Sequence, residues 1–160
     1  MDQITLNRMI DAARSALARA YTPVSGFPVG VAVLTRSGNI YAGCNTESII
    51  AGLGVCAERS AMDHAVVHGE NEFTAVLVTS LLAEPLFPCG ACRQYLYEFA
   101  QPAGLDPVVY ALGAGDRMEQ RLLSELLPHA FGPDEKARAA RRALSVEDRP
   151  VKEKKEGLSS

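Results

Sequence analysis

The chemistry available to this sequence is concentrated in four cysteines, Cys44, Cys56, Cys89 and Cys92, and one nearby acid, Glu58. Cys89 and Cys92 belong to a Cys-Gly-Ala-Cys run directly after Pro88. On a helix their thiolates lie one turn apart, at i and i+3, and can grip a single ion from one face. Pro88 suits a helix start there, because a proline opens a helix without losing an intrahelical bond. A third thiolate must come from elsewhere in the chain. Cys56 is the natural candidate, since it too stands at a predicted helix start, after Leu53-Gly54-Val55. Helix N-termini present free N–H groups and a partial positive charge, which stabilise thiolates and lower their pKa. Two such starts facing each other would make a thiolate-friendly pocket.

Glu58 follows Cys56 by two residues. On a regular helix, i and i+2 point nearly opposite ways and could not both face one ion. That objection weakens in the first turn, where Cys56 can take non-helical dihedrals and Glu58 can stand beside a metal without being its ligand. A carboxylate in that place is what metal-assisted hydrolysis needs: zinc lowers the pKa of a water, and the carboxylate takes and delivers its proton.

These residues need elements to position them. Apolar residues at Leu6, Met9, Ile10, Ala13, Leu17 and Ala20 follow a helical stripe and predict an amphipathic helix over Ile4 to Ala20. Val29 to Leu34 and Ile40 to Gly43, joined by Arg36-Ser37-Gly38-Asn39, read as a β-hairpin. Asn45 to Gly54 has no period and reads as loop. A helix over Cys56 to His68 should turn Ala61, Ala65, Met62 and Val66 inward, with Gly69 past its end. Phe73 to Ser80 reads as a buried strand, Cys89 to Phe99 as a helix, and Pro107 to Leu112 and Met118 to Leu122 as strands. Ser124 to Leu127 makes a helical turn and Asp134 to Leu144 a last helix. The order α-β-β-α-β-α-β-β-α predicts one three-layer α/β/α domain over residues 1–144, with a mixed sheet of five strands. Residues 145–160 are rich in charges of both signs and read as a solvated, disordered tail.

Composition narrows the partners. A chain of 160 residues with 48% hydrophobic content can bury one core without disulfides. A net charge of −3, with 16 Lys+Arg that form no single block, argues against a nucleic-acid or polybasic membrane surface. No apolar run approaches the ~20 residues of a membrane span. The N-terminal MDQITLNRMI has an acid at its second residue and no apolar h-region, which predicts no signal peptide and a cytoplasmic location. In such a reducing compartment clustered cysteines mean metal or catalysis rather than disulfides.

Cys56-Ala57-Glu58-Arg59 and Pro88-Cys89-Gly90-Ala91-Cys92-Arg93-Gln94 together resemble the zinc-dependent cytidine deaminases. Phe27-Pro28-Val29-Gly30, Gly43-Cys44-Asn45-Thr46-Glu47 and the run from Glu125 to Pro133 are also similar to segments of that family, in the same order and spacing. The resemblance covers roughly residues 8 to 136. It implies the cytidine-deaminase-like fold, Cys56, Cys89 and Cys92 as ligands of Zn²⁺, and Glu58 as the proton shuttle. It further implies Asn45 and Glu47 as ribose partners, and Phe27 and Phe131 as pocket walls, Phe131 reaching in from a neighbouring subunit of a homotetramer. The Ala57 N–H would meet the base carbonyl, and Arg59 would offset the charge of three thiolates on the metal. The implied reaction is hydrolysis of cytidine and deoxycytidine to uridine and deoxyuridine with release of ammonia.

Rival assignments remain at this level. With Cys44 as a fourth ligand the cysteines could close a purely structural zinc site, in a non-catalytic binding module, but that leaves Glu58 and the Asn45/Glu47 pair unexplained. A redox C-x-x-C lacks the usual neighbouring aromatic. Cys44 itself reads as a small buried apolar residue. Alone, Asn45 and Glu47 would read as loop caps, and the histidines as surface groups. The sequence also departs from the family pattern. Val24 and Ala51 stand where two tyrosines are expected near the ribose 5′ end, which leaves open a modified cytosine nucleoside or a nucleoside antibiotic as substrate of the same chemistry.

Overall fold

The computed structural model describes residues 1–132. The expected helix over 134–144 and the tail over 145–160 lie outside the described residues. The chain runs α1 (Gln3–Leu17), β1 (Val29–Thr35), β2 (Ile40–Cys44), α2 (Ala57–Val67), β3 (Phe73–Ser80), α3 (Gly90–Ala103), β4 (Val108–Leu112), β5 (Met118–Leu122) and α4 (Leu123–Leu126). The strands form one sheet in the order β2-β1-β3-β4-β5. Only β3 and β4 are parallel, and α3 connects them. The other neighbours are antiparallel.

Alternation along the strands builds the three layers. Val31 and Val33 of β1 and Val76 and Val78 of β3 face α2 and α3, packing with Ala61, Met62, Ala65, Leu96 and Ala100. Their sequence neighbours Ala32, Ala75 and Leu77 face the other way, onto Met9 and Ala13 of α1. Two glycines set how closely the helices approach. A Cβ on Gly30 would come within 2.1 Å of the Ala13 carbonyl of α1, and one on Gly43 within 2.3 Å of the Ala61 nitrogen of α2. Gly43 thereby seats α2, and with it the helix start that carries Cys56.

The elements arise in the expected order, with local differences. α1 ends at Leu17, short of Ala20, while α3 runs past Phe99 to Ala103, where Gly104 adopts the left-handed conformation and closes it. Val66 is not inward; it is 43% exposed. The buried stripe of α2 is Ala57, Glu58, Ala61, Met62 and Ala65, and Val66 lies about 100° round the helix from Ala65. Cys44 is half-buried rather than buried.

Candidate metal centre and active site

Both predicted helix starts are real, and the two cysteines take the same position in each. Cys56 is the N-cap of α2 with φ −68° and ψ 150°, and Cys89 is the N-cap of α3 with φ −66° and ψ 164°. Neither side chain closes a cap hydrogen bond, so both sulfurs remain free to turn toward a shared space. Cys92 sits in the first turn of α3, buried. The sulfurs of Cys56, Cys89 and Cys92 all lie within 4.8 Å of one another, those of Cys89 and Cys92 at 3.6 Å. A tetrahedral ion with ~2.3 Å bonds to sulfur holds its sulfurs roughly 3.8 Å apart, so the trio fits zinc. Cys44 stands outside the trio, which leaves the fourth corner without a protein thiolate.

The extended backbone of Cys56 also resolves the i, i+2 difficulty. Leaving the helix at the cap lets Cys56 and Glu58 border one cavity of about 360 Å³. Its wall includes Val29, Asn45, Ala57, Val78, Leu86, Phe87, Pro88, Cys89 and Arg93. Glu58 is only 7% exposed, and burial pushes its carboxyl pKa up, against the lowering effect of its own backbone N–H and of Cys92. Burial and the Glu58 charge likewise push the Cys92 thiol up. For Cys89 burial also acts upward, but the N–H and thiol of Cys92 outweigh it and the pKa falls below the ordinary value. This crowding of acidic groups is unfavourable by itself and calls for a cation. One organic cation is already beside it: the Cys56 sulfur holds the Arg59 guanidinium pKa above its ordinary value, and Arg59 Nε is buried without a hydrogen-bond partner.

The remaining expected residues divide. Ala57 and Asn45 line the cavity with Glu58; Phe27, Glu47 and Phe131 do not. Asn45 accepts a hydrogen bond from the Val29 N–H at 2.8 Å and donates to the Phe27 carbonyl at 2.9 Å. Glu47 accepts from the N–H groups of Val24 and Ser25 at 2.9 and 3.0 Å and from the Ser25 hydroxyl, which holds its pKa below the ordinary carboxylate range. Both therefore make the loop-capping contacts that their residue types favour, with acceptor or donor capacity to spare. The Phe131 ring is 87% exposed, while its carbonyl is held by Gln94 Nε2 at 2.6 Å.

Sequence reasoning gave no role to Leu86, Phe87 or Arg93. Arg93 donates to the Pro88 carbonyl at 2.7 Å and to the Leu126 carbonyl at 3.0 Å, pinning the loop before Cys89 to α4. Its place directly after the C-x-x-C was the available signal. Leu86 and Phe87 lie in an aperiodic loop that offered none.

A thiolate trio left open at one corner, with a buried acid beside it in a cavity of nucleoside-scale volume, defines a metal-dependent hydrolase site rather than a closed structural one. Comparison with known proteins narrows the class. Residues 4–110 match the family model described as cytidine and deoxycytidylate deaminase zinc-binding region. The cytidine deaminase of Sporosarcina psychrophila is 39% identical over 135 residues, covering 84% of this chain and 97% of the relative. That of Mycobacterium tuberculosis is 33% identical, over 88% and 100% respectively. The crystal structure of cytidine deaminase from Burkholderia pseudomallei superposes with a TM-score of 0.73 at 36% identity, covering 82% of this chain and all of that one. The chain belongs to the zinc-dependent cytidine deaminase family.

Proposed function

We propose that the protein hydrolyses cytidine and deoxycytidine to uridine and deoxyuridine, releasing ammonia, as a cytoplasmic enzyme of pyrimidine salvage. The observation that carries this reading is the buried Glu58 bordering the same cavity as Cys56 and Cys89, two members of the open thiolate trio. Cys56, Cys89 and Cys92 would hold zinc, which when bound would supply the Lewis acidity that activates water near neutral pH. Glu58 takes one proton from the water that adds to C4 and passes it to N3; it then takes the remaining proton of the new C4 hydroxyl and delivers it to the amine, so that C4=O forms as the C4–N bond breaks and ammonia leaves. Burial of Glu58 supports this role, because a carboxyl raised toward the working pH both accepts and returns protons. The Ala57 N–H orients the base carbonyl. Arg59 offsets the negative charge of the thiolates and preserves the metal's acidity.

Asn45 and Glu47 read the ribose with the hydrogen-bonding capacity their capping contacts leave free. The two positions that depart from the family pattern, Val24 and Ala51, are both exposed and neither lines the cavity. Without two tyrosine hydroxyls the site makes little contact with the ribose 5′-OH, and a site that does not hydrogen-bond a hydroxyl discriminates weakly against its absence. A nucleoside panel followed by ammonia release tests both the activity and this detail. Cytidine and 5′-deoxycytidine should be deaminated at similar kcat/KM, and 3′-deoxycytidine much more slowly. A large fall for 5′-deoxycytidine would mean that another side chain restores the lost contact, and turnover only of a modified cytosine nucleoside would redirect the substrate assignment while leaving the chemistry intact.

A homotetramer with shared sites completes the reading. Ile49, Leu53, Val67 and Phe131 are 92%, 64%, 83% and 87% exposed, apolar surface that neighbouring subunits would cover. With its backbone held by Gln94, Phe131 projects from its own domain and reaches a neighbour's cavity, whose open side it closes together with Phe27. Sedimentation should find a tetramer, and dilution to monomers should abolish turnover with zinc still bound. A fully active monomer would refute the shared site.

A further inference from the structure

Among the described residues, Phe87 is the one aromatic side chain that lines the catalytic cavity. It precedes Pro88 in the loop from β3 to α3, and chain geometry keeps its Cα within roughly 7.5 Å of that of Cys89. Beside it Leu86 also lines the cavity, and Phe87 itself is backed by the core. Phe87 packs against the larger core cluster, with Arg121 Cζ of β5 at 6.0 Å from its ring centroid. Pro88 is tied down by Arg93. Phe87 thus forms a core-backed apolar wall on the α3 side of the metal centre, whereas Glu58 borders the cavity from α2.

We infer that the Leu86–Phe87 wall meets the C5 edge of the pyrimidine and makes this enzyme select against cytosine nucleosides substituted at C5. The inference rests on the deaminase reading above. In that chemistry C4 approaches the metal centre and N3 is turned to Glu58. C5, the other neighbour of C4, is then turned to the opposite wall. A hydrogen at C5 fits against a rigid ring; a methyl group must displace it, and a packed loop backed by the core does not yield cheaply.

The test compares kcat/KM for 5-methylcytidine and cytidine in the zinc-loaded wild type and in the Phe87→Ala and Phe87→Leu variants. Taking the ratio within one preparation cancels any loss of folded protein. The wild type should prefer cytidine, and Phe87→Ala should raise the relative use of 5-methylcytidine by roughly tenfold or more, with Phe87→Leu between. An unchanged ratio in Phe87→Ala, or a wild type indifferent to the methyl group, overturns the inference while cytidine turnover keeps the deaminase reading. A wild type that deaminates neither nucleoside overturns that reading, and this inference with it.

Discussion

Glu58→Gln is expected to keep zinc and fold but to lose turnover by at least roughly 10³-fold, since an amide accepts no proton. The substitution preserves shape in a side chain of α2 that is only 7% exposed, so the packing of α2 is retained. It also removes a buried charge whose desolvation opposes ionisation, and melting temperature should therefore hold or rise. Zinc content, thermal melting and ammonia release measured on one preparation separate chemistry from folding. Near-normal turnover with zinc in place would remove Glu58 from the proton path, and with it the proposed mechanism.

Removal of zinc is the second large effect. Chelation should abolish turnover and zinc readdition should restore it. Cys89→Ala should lower both zinc content and activity even in excess metal. The three sulfurs join the start of α2 to the start of α3, two elements that otherwise meet mainly through the core. A ligand that binds only the folded state stabilises it by about 4 kcal/mol when present at a thousand times its Kd, so the chelated protein should also melt at lower temperature. Turnover that survives complete removal of zinc would exclude a metal-dependent reaction. A Cys89→Ala variant with full zinc and full rate would remove Cys89 from the ligand set.

Much of this site is legible in short stretches of chain because its determinants are local. The C-x-x-C spacing and the preceding Pro88 place two thiolates on one turn of α3 whatever the rest of the fold does. The apolar stripe of α1 and the β-branched runs of β1 and β3 likewise declare themselves by period, and β3 spans Phe73–Ser80 as read. Errors fall at boundaries, at Cys44, which is half-buried rather than buried, and at Val66, where a single residue's step round a helix separates core from solvent.

Residue types and spacing by themselves determined the order of the elements, the two helix starts, the thiolate donors and the acid placed beside one of them. Tertiary structure decided what those groups share. Cys56 and Cys89 are separated by α2, β3 and two loops, and it is the packing of α2 and α3 on one face of the sheet, with α2 seated on Gly43, that brings their sulfurs together. It also decided that Cys44, equally cysteine and only one residue from Asn45, stands outside the trio. The walls of the cavity were beyond local reasoning for the same cause. Phe87 and Leu86 come from an aperiodic loop, and Val29 and Val78 from the ends of neighbouring strands. A cavity wall is defined by which surfaces face each other across space, and no local period in the chain encodes that pairing.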